Sequence, residues 1–269
     1  MKTLIGKSGY LFLINDDGKE LEIHCDNLCR ISDVTLSRYT FSNYYIFVYP
    51  DKSYLYKQYL PDQYVVKYRP AFDIYKAKFN ENCIDLTDCL QDGYYKTDTH
   101  IHFKGSYSVY KKFIETIQVN YAKEIHIDEK ECELSSLHCG LGDLTWYENL
   151  GEQKIDATDT YYFNAEYSFY CQYTIIDGPI RFLTYALEDI TIDLLDKVVN
   201  WEIISSSIIY IQNNGPKVII FYDSFLLQSL KLYFDLFEVY FIKSVYDPNL
   251  ITTINPDFVF EFRIERFLF

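Results

Sequence analysis

The C-terminal part of the sequence alternates strand-like and helix-like segments, and this rhythm constrains the fold more than any other feature. The apolar strand segments lie at 208–211, 218–222, 238–242 and 257–262, and the helical segments lie at 225–234 and 249–254. Earlier in the chain, 44–49 (Tyr-Tyr-Ile-Phe-Val-Tyr) is a continuous apolar run that ends at Pro50. Such runs are typical of strands that are buried on both faces. Strands that alternate with helices form βαβ units, so the sequence predicts an α/β fold with a parallel sheet covered on both faces.

The rest of the chain fits one domain that carries an insertion. The residue pattern predicts further strands at 9–14 and 83–86 and further helices at 32–38 and 107–118. Residues 120–200 instead alternate polar and aromatic side chains, which favours antiparallel strands or an inserted lid. Hydrophobic residues make up 49% of the 269-residue chain, which is enough for a large core. We therefore expect a single domain over 1–269, with a β-rich lid or subdomain inserted around 145–205.

Charge, apolar run length and cysteine content limit the classes of function. The formal net charge of −14 opposes binding to nucleic acid, which needs a concentrated basic face. No run reaches the ~18 apolar residues of a membrane-spanning helix, and residues 1–7 lead into a glycine turn, not an apolar signal core. The seven cysteines are odd in number and irregularly spaced, unlike a secreted disulfide framework. These features predict a cytoplasmic protein with no transmembrane segment and no nucleic-acid partner.

Two groups of histidines and cysteines contain candidate metal ligands. One group is His24, Cys25 and Cys29, and the other is Cys132, His138 and Cys139. Neither group has the Cys-x-x-Cys pairing that is typical of structural zinc sites. We interpret the cysteines as buried or incidental thiols, and we predict no metal site and no bound cofactor.

The clearest chemical pattern is the Asp98-Thr99-His100 segment within 94–100 (Tyr-Tyr-Lys-Thr-Asp-Thr-His). On an extended segment residues i and i+2 face the same side, so the carboxylate and the imidazole can line one pocket wall. Ser224 follows the strand at 218–222, and active sites of parallel sheets lie at such strand ends. A serine hydroxyl becomes a nucleophile when an imidazole accepts its proton and a carboxylate orients the imidazole. The three residues are therefore a candidate triad, although Asp223-Ser224 could instead cap a helix at 225.

Six blocks of the sequence, in order, resemble one known family. They are 6–12 (Gly-Lys-Ser-Gly-Tyr-Leu-Phe), 50–56 (Pro-Asp-Lys-Ser-Tyr-Leu-Tyr) with Leu60-Pro61, 94–100, 142–144 (Gly-Asp-Leu), 222–225 (Tyr-Asp-Ser-Phe), and 256–259 (Pro-Asp-Phe-Val) with Glu265-Arg266. Through these blocks the chain resembles the alginate O-acetyltransferase-like branch of the SGNH hydrolase superfamily. The match spans most of residues 6–267 and is weakest between 147 and 205.

The resemblance implies a fold, a triad and an activity. The implied fold has three α/β/α layers around a flavodoxin-like parallel sheet, as in SGNH hydrolases. The family's catalytic Asp and His map onto Asp98 and His100, and its nucleophile maps onto Ser224, in an order reversed from that of ordinary SGNH hydrolases. The implied activity is O-acetyl transfer to a carbohydrate, and we expect a bacterial capsule or cell-surface polysaccharide as substrate. Acetyl-CoA or another acetyl donor would be the co-substrate, and other polysaccharide-assembly proteins are candidate partners.

Two alternatives to transfer remain open at this point. If water replaces the sugar, the same triad makes a carbohydrate acetylesterase. A chain that kept the fold but lost catalysis would be a carbohydrate-binding module.

The chain departs from the family pattern beside the candidate triad. The family often has Trp-Asn directly after the His, whereas this chain has Ile101-His102, and Tyr222 stands where the family frequently has Gly or Arg. If the strand continues, His102 shares a side with His100, so it either binds substrate or fills the place. The candidate substrate-binding residues are His102, Lys96, Tyr95, Tyr222 and Arg263.

The sequence offers candidate donors for the oxyanion and two lysines that flank the candidate triad. The backbone N–H of Ser224 at a helix start is one expected oxyanion donor. Residues 213–215 (Asn-Asn-Gly) offer either a second donor or a plain turn. Lys96 and Lys104 flank the 94–100 segment, where a solvated face is the simpler interpretation.

Two arginines near the C-terminus have two interpretations. Arg263 and Arg266 could bind an anionic sugar or a CoA phosphate. An ion pair of Arg266 with Glu261 or Glu265 is the simpler role.

Overall fold

The computed structural model covers most of the chain outside the region 122–207. The described residues are 2–14, 17–29, 31–121, 132–138, 143–145, 165–171, 180–183, 187–189, 208–212, 214–233 and 236–268.

The described strands form one large sheet and two small ones. Their bounds are β1 (Lys2–Ile5), β2 (Leu11–Ile14), β3 (Tyr44–Tyr49), β4 (Cys83–Asp85), β5 (Cys132–His138), β6 (Ala165–Cys171), β7 (Ile180–Leu183), β8 (Leu187–Asp189), β9 (Ile208–Ile211), β10 (Lys217–Tyr222), β11 (Glu238–Ile242) and β12 (Phe258–Ile264). The large sheet has eight strands in the order β4-β3-β12-β10-β11-β9-β7-β8. The pairs β1-β2 and β5-β6 form separate antiparallel sheets.

Five neighbouring strands of the large sheet, from β4 to β11, run parallel. At the other end of the sheet, β9, β7 and β8 are each antiparallel to the preceding strand in that order. Every residue of β3 and β12 is buried. This explains the continuous apolar run in β3, because both faces of the strand are covered. The predicted α/β class with a parallel sheet is confirmed, and antiparallel strands extend it on one side.

Helices cover both faces of the parallel strands. Their bounds are α1 (Glu20–Asp26), α2 (Asp33–Ser37), α3 (Lys52–Leu55), α4 (Pro70–Phe79), α5 (Phe103–Tyr121) and α6 (Pro248–Ile254). Neighbouring residues of β3 point to opposite faces, as the strand pleat requires. Phe47 packs in one buried cluster with Phe113 of α5. Val48 lies in the other cluster, with Tyr75 of α4 and Ile251 of α6. The result is the three-layer α/β/α arrangement that the family resemblance implied.

Some elements differ from the sequence prediction. The segment predicted as an α-helix at 225–234 is a 3₁₀ helix over Leu227–Tyr233. Its buried residues are Leu227, Ser229, Leu230, Leu232 and Tyr233, and among them Leu227, Leu230 and Tyr233 lie three positions apart, the period of a 3₁₀ helix. The structure also contains β1 and α4, which the sequence pattern did not predict.

The predicted insertion around 145–205 lies largely outside the described residues. Within it, the structure describes β6, which pairs with β5, and β7 and β8, which sit at the end of the large sheet. The insertion bounds and the single-domain organisation therefore stay predictions. In the part of the chain that the structure describes, no helix has the length and apolarity needed to cross a membrane.

Candidate active site

The candidate site lies at the carboxyl edge of the central parallel strands. The chain leaves β3 into Asp51 and Lys52, leaves β10 into Asp223 and Ser224, and leaves β12 into Glu265. In a parallel sheet these strand ends meet at one edge, where open α/β folds bind their ligands. The strand order β3-β12-β10 therefore brings together side chains that are far apart in the sequence.

Asp223 holds the turn that carries Ser224. One of its carboxylate oxygens accepts the N–H of Phe225 at 3.0 Å, and the other accepts the N–H of Ile264 at 2.7 Å. The first bond is a local Asx turn, and the second ties the turn to the end of β12. Asp223 is buried, so these bonds satisfy a carboxylate that solvent does not reach. Ser224 itself is only partly buried, and its hydroxyl stays available at the edge of the sheet.

The structure brings Asp98, His100 and Ser224 into one chain of hydrogen bonds. His100 Nδ1 lies 2.8 Å from Asp98 Oδ1, and His100 Nε2 lies 3.1 Å from Ser224 Oγ. The side chains of Asp98 and His100 are each 22% exposed, so small molecules can reach the imidazole. This order of carboxylate, imidazole and hydroxyl is the arrangement that activates a serine for acyl transfer. The ring of Phe225 packs against that of His100 with centroids 5.1 Å apart.

Asp98 is held as an anion by the groups around it. Its Oδ1 also accepts the backbone N–H of His100 at 2.9 Å, and its Oδ2 accepts the backbone N–H of Asp143 at 2.9 Å. Burial by itself raises the pKa of Asp98, but the hydrogen bond and charge of His100, together with the two N–H donors, lower that pKa to about 2. Asp98 is therefore ionised at neutral pH.

Asp143 is a second carboxylate beside the imidazole, and the sequence did not assign it a role. Its Oδ1 accepts the N–H of Thr99 at 2.8 Å, and its Oδ2 accepts the Thr99 hydroxyl at 2.6 Å. The same Oδ2 lies 3.8 Å from His100 Nδ1. Burial and the neighbouring charge of Asp98 raise the pKa of Asp143.

Lys52, at the start of α3, is hydrogen-bonded to the loop that carries Asp98 and His100. Its ammonium donates hydrogen bonds to the carbonyl oxygens of Lys96 at 2.8 Å and Asp98 at 2.9 Å. The side chain is buried, and this burial lowers the pKa of Lys52 to about 7 against the opposing charges of Asp98, Glu20 and Asp143. A buried cation thus fixes two carbonyls of the segment that carries the candidate triad.

A buried ionic cluster links α1 to the strand ends. His24 contacts the Tyr68 carbonyl oxygen through Nδ1 at 2.8 Å and Asp51 Oδ2 through Nε2 at 3.0 Å. Arg266 Nη1 donates to Asp51 Oδ1 at 2.5 Å and to Glu20 at 3.1 Å. The predicted ion pair of Arg266 is therefore made with different carboxylates from the two that the sequence suggested. Among the described residues, His24 serves this cluster instead of a metal group.

His102 is buried between the loop that carries His100 and the helix α5. The helix α5 begins directly after it, and the N–H of Gly105 donates to His102 Nδ1 at 3.1 Å. The ring packs edge-on against that of Tyr95, and both residues are buried. A Cβ at Gly105 would lie 2.6 Å from the Gly93 carbonyl oxygen, so only glycine allows this close approach. His102 and Tyr95 thus lie in the packing of the helix start.

The other predicted substrate-binding residues are dispersed. The partly buried Lys96 places its ammonium 5.2 Å from the Tyr10 ring centroid, beside the candidate triad's loop. Tyr222 is buried in the sheet. Arg263 pairs with Glu261 at 3.0 Å on a buried face, so the structure does not bring it to His100. Its guanidinium also donates to the Ser244 carbonyl oxygen at 2.5 Å, and the assignment of Arg263 to substrate binding stays a prediction.

Three remaining expectations have simple outcomes. Lys104 lies on the surface 3.4 Å from Asp92, which matches the expected solvated face. The 213–215 group includes Asn213, which lies outside the described residues, so that oxyanion hypothesis stays open. Cys132 and His138 pair with residues of β6 along the strand backbones, and Cys139 is not described.

One described group has the spacing that a metal ion would need. Ligand atoms of Asp98, His100 and Asp143 all lie within 4.8 Å of one another. However, Asp98 Oδ1 and His100 Nδ1 are bonded to each other, and both oxygens of Asp143 accept bonds from Thr99. Since these atoms already point at protein partners, we interpret the group as a hydrogen-bond network.

Solved structures share this architecture. No family model matches the chain, and no curated protein matches it significantly. The structure of Bacillus cereus PatB1 aligns with 99% of this chain and 96% of its own, with a TM-score of 0.66 and 16% identity. The chain therefore has the same three-layer α/β/α fold as this structure. A structure of PatB1 with a sulfonyl adduct aligns with 99% of this chain and 97% of its own, with a TM-score of 0.64 and 12% identity.

A third structure extends the likeness to another protein. A DHHW family protein from Eubacterium siraeum aligns with 98% of this chain and 94% of its own, with a TM-score of 0.59 and 17% identity. At these identities the likeness shows the fold and not the activity. The α/β/α architecture implied by the sequence motifs is thereby confirmed, and the assignment of a function depends on the site.

The residues that the sequence did not assign were nevertheless marked by motifs. Lys52 belongs to the 50–56 block and Asp143 to the 142–144 block, and both blocks carried the family resemblance. The sequence shows these motifs but not which of them lie next to each other in space. The contacts of the two blocks with the 94–100 segment were therefore not predictable from the sequence.

Proposed function

We propose that this protein is a carbohydrate O-acetyltransferase that works through a serine acyl-enzyme. The observation that carries the proposal is the chain of hydrogen bonds from Asp98 through His100 to Ser224, at the ligand-binding edge of the sheet. The motif resemblance to O-acetyltransferases supports the choice of an acetyl group and a sugar. A bacterial capsule or cell-surface polysaccharide, or its precursor, is the proposed acceptor.

In the first half-reaction, Ser224 Oγ attacks the carbonyl carbon of the acetyl donor while His100 Nε2 takes its proton. The new C–O bond forms as the carbonyl electrons move onto the oxygen, giving a tetrahedral oxyanion. The oxyanion collapses, the bond to the donor's leaving group breaks, and His100 returns the proton to that group. Asp98 stabilises the imidazolium between these two proton transfers.

In the second half-reaction, a sugar hydroxyl replaces the leaving group. His100 Nε2 accepts the hydroxyl proton as the sugar oxygen attacks the acetyl carbon on Ser224. The bond between Ser224 Oγ and the acetyl carbon then breaks, and Oγ takes the proton back. The acetyl ester ends on the sugar, and the triad returns to its starting state.

The oxyanion needs backbone donors at the turn after β10. The Ser224 N–H is the first proposed donor, because it lies in the turn that presents the nucleophile. The next N–H in the chain, that of Phe225, already donates to Asp223 Oδ1. A second donor must therefore come from another segment.

The donor and the location follow from the same proposal. In the cytoplasm, which the sequence predicts, acetyl-CoA is the abundant activated acetyl group, so we propose it as co-substrate. The protein would then act on sugar units or precursors before they are exported, beside other polysaccharide-assembly proteins.

A specific observation also favours a second candidate, a carbohydrate acetylesterase. The side chains of Asp98 and His100 are each 22% exposed, so water can approach the acyl-enzyme. The described residues therefore do not exclude hydrolysis by the same chemistry.

Transfer is tested with a sugar acceptor and a labelled acetyl donor. The protein is incubated with acetyl-CoA or p-nitrophenyl acetate and with a panel of oligosaccharides, and the products are read by mass spectrometry. Acetylated sugar that depends on Ser224 supports the transferase, whereas free acetate alone supports the esterase. Ser224→Ala is compared with Ser108→Ala, which changes a serine of α5 whose hydroxyl donates to the Lys104 carbonyl oxygen at 3.0 Å. Equal product from Ser224→Ala and wild type would contradict the proposal.

A further inference from the structure

Asp143 is hydrogen-bonded to Thr99 and Asp98, two neighbouring residues of the loop that carries the candidate triad. Its carboxylate receives both the N–H and the hydroxyl of Thr99, the residue between Asp98 and His100. Its backbone N–H donates to Asp98 Oδ2, the carboxylate oxygen that does not face the imidazole. Asp143, which belongs to a separate segment, thus holds the Asp98-Thr99-His100 segment through its side chain and through its backbone. These contacts set where Asp98 Oδ1 and His100 Nδ1 can lie.

The hydrogen bonds also favour the ionised form of both carboxylates, against the burial and the charge of Asp98 that raise the pKa of Asp143. All four oxygens of Asp98 and Asp143 accept at least one hydrogen bond from an N–H or O–H group. A carboxylate that accepts at both oxygens is stabilised in its ionised form. An oxygen of Asp98 and an oxygen of Asp143 lie within 4.8 Å of each other, so the two anions repel. The buried ammonium of Lys52 is hydrogen-bonded to the Asp98 carbonyl oxygen and offsets part of that repulsion.

The second anion also lies close to the catalytic imidazole. Asp143 Oδ2 is 3.8 Å from His100 Nδ1, and the hydroxyl of Thr99, between them, is 3.2 Å from the same nitrogen. Among the described residues, the charged groups around His100 are Asp98 on its own loop, Asp143 on the 143–145 turn and Lys52 on α3. The turn after β10 contributes the Ser224 hydroxyl and the Phe225 ring. When His100 takes the serine proton, two carboxylates therefore face the new positive charge.

We propose that Asp143 is a positioning residue of the triad, which fixes Asp98 and His100 through Thr99 and its own backbone N–H and places a second anion beside the imidazolium. The inference rests on the proposed function of Asp98, His100 and Ser224. The hydrogen bonds of Asp143 to Thr99 and Asp98 let it act through the triad residues and not on the reacting atoms.

The test compares Asp143→Asn with a matched control, Asp62→Asn. Both changes replace one carboxylate by an isosteric amide, but Asp62 is 93% exposed and pairs with Lys7. We expect Asp143→Asn to lower kcat by about 10-fold to 100-fold, the size of effect that a misplaced catalytic group produces, with little change in KM. Asp62→Asn should leave kcat within twofold of wild type.

The pH dependence of the activity distinguishes the proposed effect of the Asp143 charge on His100 from a general loss of structure in the variant. Removing a negative charge 3.8 Å from Nδ1 destabilises the imidazolium, so the pKa of His100 falls. The rising limb of kcat/KM against pH should therefore move to lower pH by about 0.8 of a unit, the value that Coulomb's law gives at this distance in a water-like dielectric. Thr99→Val, which removes only the hydroxyl between the two side chains, should lower kcat with a smaller movement of the limb.

A second readout keeps this inference separate from the proposed function. The pKa of His100 is measured by NMR of the imidazole Cε1–H in the free protein, with His100→Gln used to assign the signal. A fall of that pKa in Asp143→Asn, with no fall in Asp62→Asn, supports the inference even if no substrate is turned over. An inactive wild type with the NMR shift present would overturn the proposed function alone. An unchanged His100 pKa and pH limb in a folded Asp143→Asn would overturn the role of Asp143.

Discussion

His24 is expected to carry a positive charge in the folded protein at neutral pH, although its side chain is fully buried. Its two ring nitrogens face a backbone carbonyl of Tyr68 and a carboxylate of Asp51. Both partners are acceptors, so both nitrogens must donate, and only the imidazolium has two N–H groups. Burial opposes this charge, but the hydrogen bond and charge of Asp51 prevail and raise the pKa of His24 to about 9.

The size of the effect follows from that pKa. A folded pKa of about 9 against an ordinary value of about 6.5 corresponds to a stabilisation of about 3 kcal/mol. Because the folded pKa is raised, the stabilisation is fully present below about pH 6.5 and is lost as the pH rises through about 9. The free energy of unfolding should therefore fall across this window by about 3 kcal/mol on account of His24.

The assay is urea unfolding of wild type and His24→Gln at pH 6 and pH 9. The difference in unfolding free energy between the two proteins isolates the contribution of His24, and we expect it to shrink by about 3 kcal/mol between the two pH values. His102→Gln is the control, because burial lowers the pKa of His102 and reverses the sign of its pH dependence. A difference for His24→Gln that is the same at pH 6 and pH 9 would refute the argument from two acceptors.

Three further predictions concern the candidate triad and its support. Asp98→Asn should lower kcat by about 10⁴-fold, because an amide cannot hold the imidazole in its productive tautomer, and steady-state kinetics on a folded variant checks this. Lys52→Met should change the free energy of unfolding little, because two contributions oppose each other. Burial of the Lys52 amine costs about 4 kcal/mol at pH 7.5, and the variant removes this cost. The variant also leaves two carbonyl oxygens without a hydrogen bond, which costs about 2–6 kcal/mol. The same variant should lose at least about tenfold in kcat, because the loop loosens, and a large fall in Tm with unchanged kcat would contradict this account. Arg263→Met should destabilise the protein by about 3–5 kcal/mol by leaving the buried Glu261 unpaired. The KM of this variant for the acceptor should stay at the wild-type value. A raised KM would instead support a role of Arg263 in substrate binding.

The strands of the sheet were the most predictable part of the fold. The bounds of β3 agree with the sequence prediction, because a strand buried on both faces must be apolar along its length. The segment over Leu227–Tyr233 was predicted as an α-helix, since apolar residues three apart fit both helix types over two turns. Short apolar patterns therefore identify an element better than they identify its type.

The candidate site was predictable only where its residues are close in sequence or carry a motif. The spacing of Asp98 and His100 predicted a shared side, and the structure brings them together on a loop. Asp143 and Lys52 reach that loop from segments more than 40 residues away. His102 was expected either to bind substrate or to fill its place, and its ring packs against that of Tyr95 just before α5, which begins at Phe103. Contacts of this kind depend on the packing of the whole sheet edge, which no local pattern contains.

The central claim is that Ser224 carries the acetyl group, and peptide mass spectrometry of the rapidly quenched enzyme tests it most directly. After brief mixing with p-nitrophenyl acetate, we expect an acetyl group on the peptide that contains Ser224. A sulfonyl fluoride should label the same hydroxyl, with an O–S bond formed and fluoride released, and should block acetylation. Ser224→Ala should show neither modification. An acetyl group on another residue, or equal modification of Ser224→Ala, would contradict the account.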